Sequence, residues 1–155
     1  MTTKLSAAAL PTITSASIPA YDRADLKAGI VHFGVGNFHR AHQAVYLDDL
    51  FATGSDHDWA LVGAGVRDAD EAMRQKLKKQ DWLTSVVEQE ADTAAARITG
   101  SMIDYLRPGD SAAIIDTLAD PAIRIVSLTI TEGGYYIDPA SQHFDRHHPD
   151  IRHDA

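Results

Sequence analysis

Apolar and polar positions along this chain follow two rhythms that alternate. Gly29-Ile-Val-His-Phe33 is a short, partly β-branched block that ends at Gly34, the pattern of a buried strand stopped by a turn. From Asn37 to Thr53 the spacing lengthens, with Phe38, Ala41, Val45, Leu47 and Leu50 at loosely helical intervals and Gly54 as a stop. Trp59 to Val66 is a second apolar strand, and Asp68 to Gln80 a second helix. The strand-like runs Trp82–Val87 and Ala96–Ile103, joined by polar Glu88 to Thr93, predict a β-hairpin. Asp110 or Ser111 then caps a helix whose Ile114, Ile115 and Leu118 share one stripe, and Pro121 forbids its continuation. Ile123 to Ile130 is the most strand-like run of all.

Strand, helix, strand, helix, hairpin, helix, strand is the order of an α/β sheet with crossover connections. The predicted fold is therefore α/β: a Rossmann-like, doubly wound, mostly parallel sheet with an inserted β-hairpin. Residues 1–20 read as an N-terminal surface arm, 21–138 as the sheet domain and 139–155 as a polar loop or tail. A near-continuous apolar strand such as Ile123–Ile130 calls for cover and neighbours on both sides. Few residues follow it, so the sheet is expected to be incomplete and this strand to be left as an exposed edge.

Composition narrows the classes of partner. A chain of 155 residues is one domain's length, enough to bury roughly two thirds of the surface that its unfolded form exposes. Fourteen lysines and arginines against 22 acids give a formal charge of −8, and no basic patch stands out against that field, which argues against nucleic acid. No apolar stretch approaches the roughly 20 residues of a membrane helix. The absence of cysteine fits a reducing compartment, and a cytoplasmic location is expected.

The chemistry centres on Val31-His-Phe-Gly-Val-Gly-Asn-Phe-His-Arg-Ala-His42. A Gly-x-Gly pair where the first strand meets the first helix can present backbone N–H groups and the helix dipole to a pyrophosphate. Gly34 would make the tight turn and Gly36 would let phosphate approach without a Cβ in the way. His39 stands where a third glycine normally allows close packing of helix on strand, so a wider or differently angled fit is required. A dinucleotide site also needs an acid after the second strand for the ribose. Asp68 and Asp70 are candidates, farther along the chain than the usual offset of about 20 residues because the first helix is long. Either could instead serve only as a helix cap, and Arg67 leaves room for a 2′-phosphate. The second pair, Gly63-Ala-Gly65, reads as a mark of close backbone approach.

Histidine invites a metal reading that the spacing does not sustain. His32 reads as a hydrogen-bonded core histidine. His39 and His42 are three apart on a helix with no third ligand in sequence reach. The tail histidines His143, His147, His148 and His153, with Asp145 and Asp150, read as a solvated loop. No metal site is expected.

Phe33-Gly-Val-Gly-Asn-Phe-His-Arg-Ala-His42 with Gln43, then Gly63-Ala-Gly-Val-Arg67, then Arg124-Ile-Val-Ser-Leu-Thr-Ile-Thr-Glu-Gly-Gly-Tyr135 closely resemble the N-terminal domain of the mannitol 2-dehydrogenase family. These are long-chain polyol dehydrogenases that use NAD without a metal. The resemblance runs from about Tyr21 to the C-terminus. It implies that Gly34, Val35, Gly36, Asn37, Phe38, His39 and Arg40 line the pyrophosphate and nicotinamide side of an NAD site. It further implies that Asp70 is the ribose-binding acid and that Thr131 and Glu132 reach cofactor or substrate. Ala69 stands where relatives often carry a second acid, which weakens any choice of NAD over NADP.

Family members pass hydride from a sugar alcohol such as mannitol to the nicotinamide and release a ketose such as fructose. Their general-base lysine and their polarising asparagine and histidine lie in a C-terminal helical domain absent from this sequence, so no catalytic residue is expected here and the chain reads as a fragment inactive alone. Arabinitol, fructuronate and tagaturonate dehydrogenases share the N-terminal pattern and remain open, as does a nucleotide-binding module without chemistry.

Overall fold

The computed structural model describes residues 4–155. Among these residues six strands and five α-helices follow in the order β1 Ala28–Phe33, α1 Asn37–Ala41, α2 Gln43–Ala52, β2 Ala60–Ala64, α3 Asp68–Lys78, β3 Thr84–Gln89, β4 Ala94–Thr99, β5 Met102–Tyr105, α4 Ser111–Leu118, β6 Ile125–Leu128 and α5 Pro149–Asp154. Four strands form one wholly parallel sheet in the order β5-β2-β1-β6. Because β1 and β2 are adjacent but β6 returns to the far side of β1, the strand order reverses beside β1. That reversal opens a crevice at the carboxyl ends of β1 and β6.

The period-two alternation of each strand sorts its side chains between two layers. Ile30, Leu61 and Met102 point to one face, where Ala44 and Leu47 of α2 and Met73 and Leu77 of α3 cover them. Val31, Val62 and Ile103 point to the other, under Leu118 of α4 and Ile123. Helices on both faces make the sheet doubly wound, in agreement with the sequence pattern. Gly63 carries the tight packing expected of it: a Cβ there would lie 2.8 Å from Val35 and 3.0 Å from Tyr105.

Three boundaries differ from the sequence reading. The single helix expected over 37–53 is two helices that meet at His42, whose φ of −124° and ψ of −78° turn the axis. The change of direction lets α1 lay His39 on the sheet while α2 sends Ala44 and Val45 into the core. The strand expected over 96–103 is also two. Gly100 and Ser101 separate β4, which pairs antiparallel with β3, from β5, which pairs parallel with β2. The polar 139–155 segment is not loop throughout, since Pro149 opens α5 at a position where its missing N–H costs nothing.

Asp48 ties the inserted hairpin to the sheet domain. It is buried (5 % exposed) and accepts from the Tyr21 hydroxyl at 2.6 Å, the Gly100 N–H at 2.8 Å and the Arg97 guanidinium at 2.9 Å. Arg97 also reaches Asp49 at 2.6 Å. The N-terminal arm lies on this hairpin, with Ser17 exchanging backbone hydrogen bonds with Ala96 and Ile98. At the opposite border β6 pairs with β1 alone among the described residues, and Ile125, Val126, Leu128 and Ile130 are 44–57 % exposed.

Candidate functional site

A cleft of about 660 Å³ occupies the crevice between β1 and β6. Its floor is Phe33 and Gly34. One wall is Gly65, Val66, Arg67 and Asp70, and the other is Leu128 to Thr131 with Gly133 and Gly134. Tyr136, His148 and Asp150 close one side.

The glycine turn is built as its residues dictate. Gly34 has φ +89°, the left-handed region that a side chain disfavours. Its N–H donates to the Ala64 carbonyl at 3.2 Å, and its own carbonyl accepts from the Gly36 N–H at 2.7 Å, a tight turn that swings the chain into α1. Gly36 then caps α1 with ordinary φ of −86°. A Cβ at Gly36 would meet nothing nearer than the Gly34 carbonyl oxygen at 3.9 Å. Nothing among the described residues requires glycine there, and the space beside it is open. The N–H groups of Asn37, Phe38 and His39, at the start of α1, have no helical acceptor.

Asp70 is held rather than free. Its Oδ2 accepts from the Arg67 N–H at 3.1 Å, the capping-box arrangement at the start of α3. The N-cap position belongs to Arg67, so Asp68 does not serve as the cap. Gly65 makes the room: a Cβ there would stand 2.5 Å from Asp70 Oδ2. The carboxylate is thereby fixed at the wall of the cleft.

Of the residues singled out in sequence, Gly34, Asp70 and Thr131 line the cleft together. Val35 is in the core beneath the turn. Phe38 is exposed beside Gly36. Asn37 and Arg40 bond each other and line a neighbouring groove with Thr84 to Val87. The side chain of Glu132 lies outside the described part of the structure.

His39 goes inward. It is 1 % exposed, stacks on His32 with ring centroids 3.9 Å apart and planes 14° apart, and contacts Gln43 Oε1 through Nδ1 at 3.0 Å. The histidine that displaces the third glycine therefore packs helix to strand by ring stacking, the altered fit that its bulk demands. His32, the core histidine, bonds Ser127 Oγ at 2.8 Å and Thr129 Oγ1 at 3.1 Å. Burial and the neighbouring His32 push the His39 pKa down to about 4, and burial lowers that of His32 as well.

Sequence reasoning missed Ser127, Thr129, Tyr136, His148 and Asp150. For the first two a signal existed: polar residues two apart in an otherwise apolar strand point to one face. Tyr136 donates to Asp150 at 3.0 Å and packs its ring on His148, 4.6 Å between centroids. These contacts fold the tail back to the cleft, which local pattern does not reveal. Among the described residues no group of three histidines or acids is placed to hold a metal ion.

Residues 28–152 match the family model of the mannitol dehydrogenase Rossmann domain. The chain is 58 % identical over 142 residues to the mannitol 2-dehydrogenase of Cereibacter sphaeroides, a match covering 91 % of this chain and 30 % of that protein. It is 47 % identical over 141 residues to the mannitol 2-dehydrogenase of Pyricularia oryzae, covering 90 % of this chain and 28 % of the relative. Its fold superposes on Pseudomonas fluorescens mannitol 2-dehydrogenase, solved as a ternary complex with NAD and D-mannitol, with a TM-score of 0.85 and 46 % identity over 98 % of this chain and 32 % of that one. A substrate-free D-sorbitol dehydrogenase gives 0.80 and 39 %, over 97 % of this chain and 31 % of that one. The chain thus spans about 30 % of the length of the relatives it matches.

Proposed function

The chain belongs to the mannitol dehydrogenase family, and from that premise we propose that it is the NAD-holding part of a polyol dehydrogenase acting on a sugar alcohol of the mannitol type. The observation that carries the reading is the glycine turn at the strand reversal, where Gly36 leaves open a space that the described residues do not fill. A dinucleotide fits these residues. The N–H groups of Asn37, Phe38 and His39 would receive the pyrophosphate, and Asp70 would accept from an adenosine ribose hydroxyl while its other oxygen keeps the α3 cap.

When bound, NAD supplies a nicotinamide carbon that accepts hydride from a secondary alcohol, leaving a ketone. The residues of this chain bind and orient. Gly34 sets the direction of the turn, and His39 fixes α1 on the sheet. Leu128, Thr129 and Thr131 form the wall beside the strand end.

Titration with NADH by calorimetry tests the reading, with folding checked by circular dichroism. Saturable binding that Gly36→Asp abolishes and Asp70→Ala weakens is the expected result. No binding by a folded wild-type chain would overturn it.

A further inference from the structure

Five side chains run in hydrogen-bonded sequence from beneath the glycine turn to the cleft: His39, Gln43, Ser127, His32 and Thr129. The Gln43 amide fixes its own two links, since its oxygen only accepts and its nitrogen only donates, and one buried atom supports the same orientation. His39 Nε2 is buried with no partner among the described residues. An orphaned N–H is costlier and rarer in proteins than an orphaned acceptor, so the neutral ring carries its proton on Nδ1 and donates to Gln43 Oε1.

The rest follows by donor counting. With its oxygen turned to His39, Gln43 presents its amide N–H to Ser127 Oγ at 3.5 Å. Ser127 then gives its own proton to His32 Nδ1, 2.8 Å away. A neutral imidazole that accepts at Nδ1 carries its proton at Nε2, which donates to Thr129 Oγ1 at 3.1 Å. In the reverse order Ser127 would accept twice, and its own hydrogen would have no acceptor among the described residues. Thr129, having accepted from His32, keeps its hydroxyl proton. Thr129 lines the cleft, close to where a Gly34 side chain would stand.

We propose that Thr129 is a hydrogen-bond donor to an oxygen of the dinucleotide in the cleft, and that His32 is the positioning residue that turns its proton outward. The inference rests on the cofactor reading above and adds a contact that neither glycine nor acid provides. A donor at this wall selects for an acceptor oxygen of the ligand, such as one on phosphate, ribose or carboxamide.

Two measurements test it. Long-range 15N NMR of the histidines in the ligand-free protein should find His32 protonated at Nε2 and His39 at Nδ1. Calorimetry with NADH should show about tenfold weaker binding for Thr129→Val, the loss of one net hydrogen bond, near wild-type affinity for Thr129→Ser, and better retention for His32→Gln than for His32→Phe. His32 protonated at Nδ1, or a Thr129→Val protein that binds NADH as wild type does, overturns the inference alone. A folded wild type that binds no NADH overturns the cofactor reading and the inference together.

Discussion

The imidazole of His39 lies face to face with that of His32, 3.9 Å between centroids, so a helix residue and a strand residue are joined in a buried contact where a proton on His39 is disfavoured. Around the pair stand Gln43 from α2, Ser127 from β6, Thr129 just beyond it, and Arg40 on α1, which by its charge also disfavours protonation of His39. Among the described residues no carboxylate hydrogen-bonds to either ring to offset a proton.

Stability should therefore fall on mild acidification. An unfolded histidine titrates near 6.5, whereas His39 in the fold is lowered to about 4. Between these values the unfolded chain binds a proton that the folded one refuses. Stability is full above about pH 6.5 and drains as pH falls toward 4, at a rate on the order of 1.4 kcal/mol for each pH unit crossed. Urea unfolding at a series of pH values measures this slope, and His39→Gln should flatten it.

The two glycines of the turn should separate stability from binding. Gly34→Ala forces a side chain to φ +89° and should cost about 1–2 kcal/mol of stability. Gly36→Ala, with ordinary φ and open space, should leave the denaturation midpoint in place and weaken NADH binding. Equal midpoint shifts in both variants would contradict this division.

Asp48→Ala should be the more damaging change at the hairpin. It strands the Tyr21 hydroxyl, the Gly100 N–H and one bond of Arg97, and losing an acceptor shared by buried donors costs about 3 kcal/mol or more. Tyr21→Phe removes a single bond and should cost about 1 kcal/mol. Hydrogen exchange should accelerate at Gly100 and along β4 in the first variant before it does in the second.

The border strand β6 predicts self-association. Its outer edge has no partner among the described residues, and Ile125, Val126, Leu128 and Ile130 are half-exposed. Light scattering of this chain should rise with concentration, and Val126→Lys should suppress the rise without altering the circular dichroism.

Much of this architecture can be read from residue order, because it rests on local periodicity. β1, the glycine turn, α3 and β6 each carry their own signal within a few residues. What stays hidden depends on partners far away. Nothing near Gly100 says that the strand run breaks there; the reason is Asp48, which takes the Gly100 N–H, and the Arg23 side chain, packed 2.7 Å from where a Cβ would be. The sequence predicts that His39 alters the fit of helix on strand, but its stacking partner His32 is known only once α1 folds onto β1. The return of His148 and Asp150 to the cleft depends on Tyr136, a residue in a left-handed conformation that no local pattern marks.

The strand order also sets a timetable. β1 lies between β2, which follows it closely in the chain, and β6, whose Ser127 is 95 residues from His32. On a ribosome releasing the chain from its N-terminus, the glycine turn exists early but has only one wall until Ser127 and Thr129 emerge. Loop-closure entropy makes so distant a pairing slow, so the last contacts to form should be those that hold His32. During that interval the turn is exposed to solvent with its two histidines still free to take up protons.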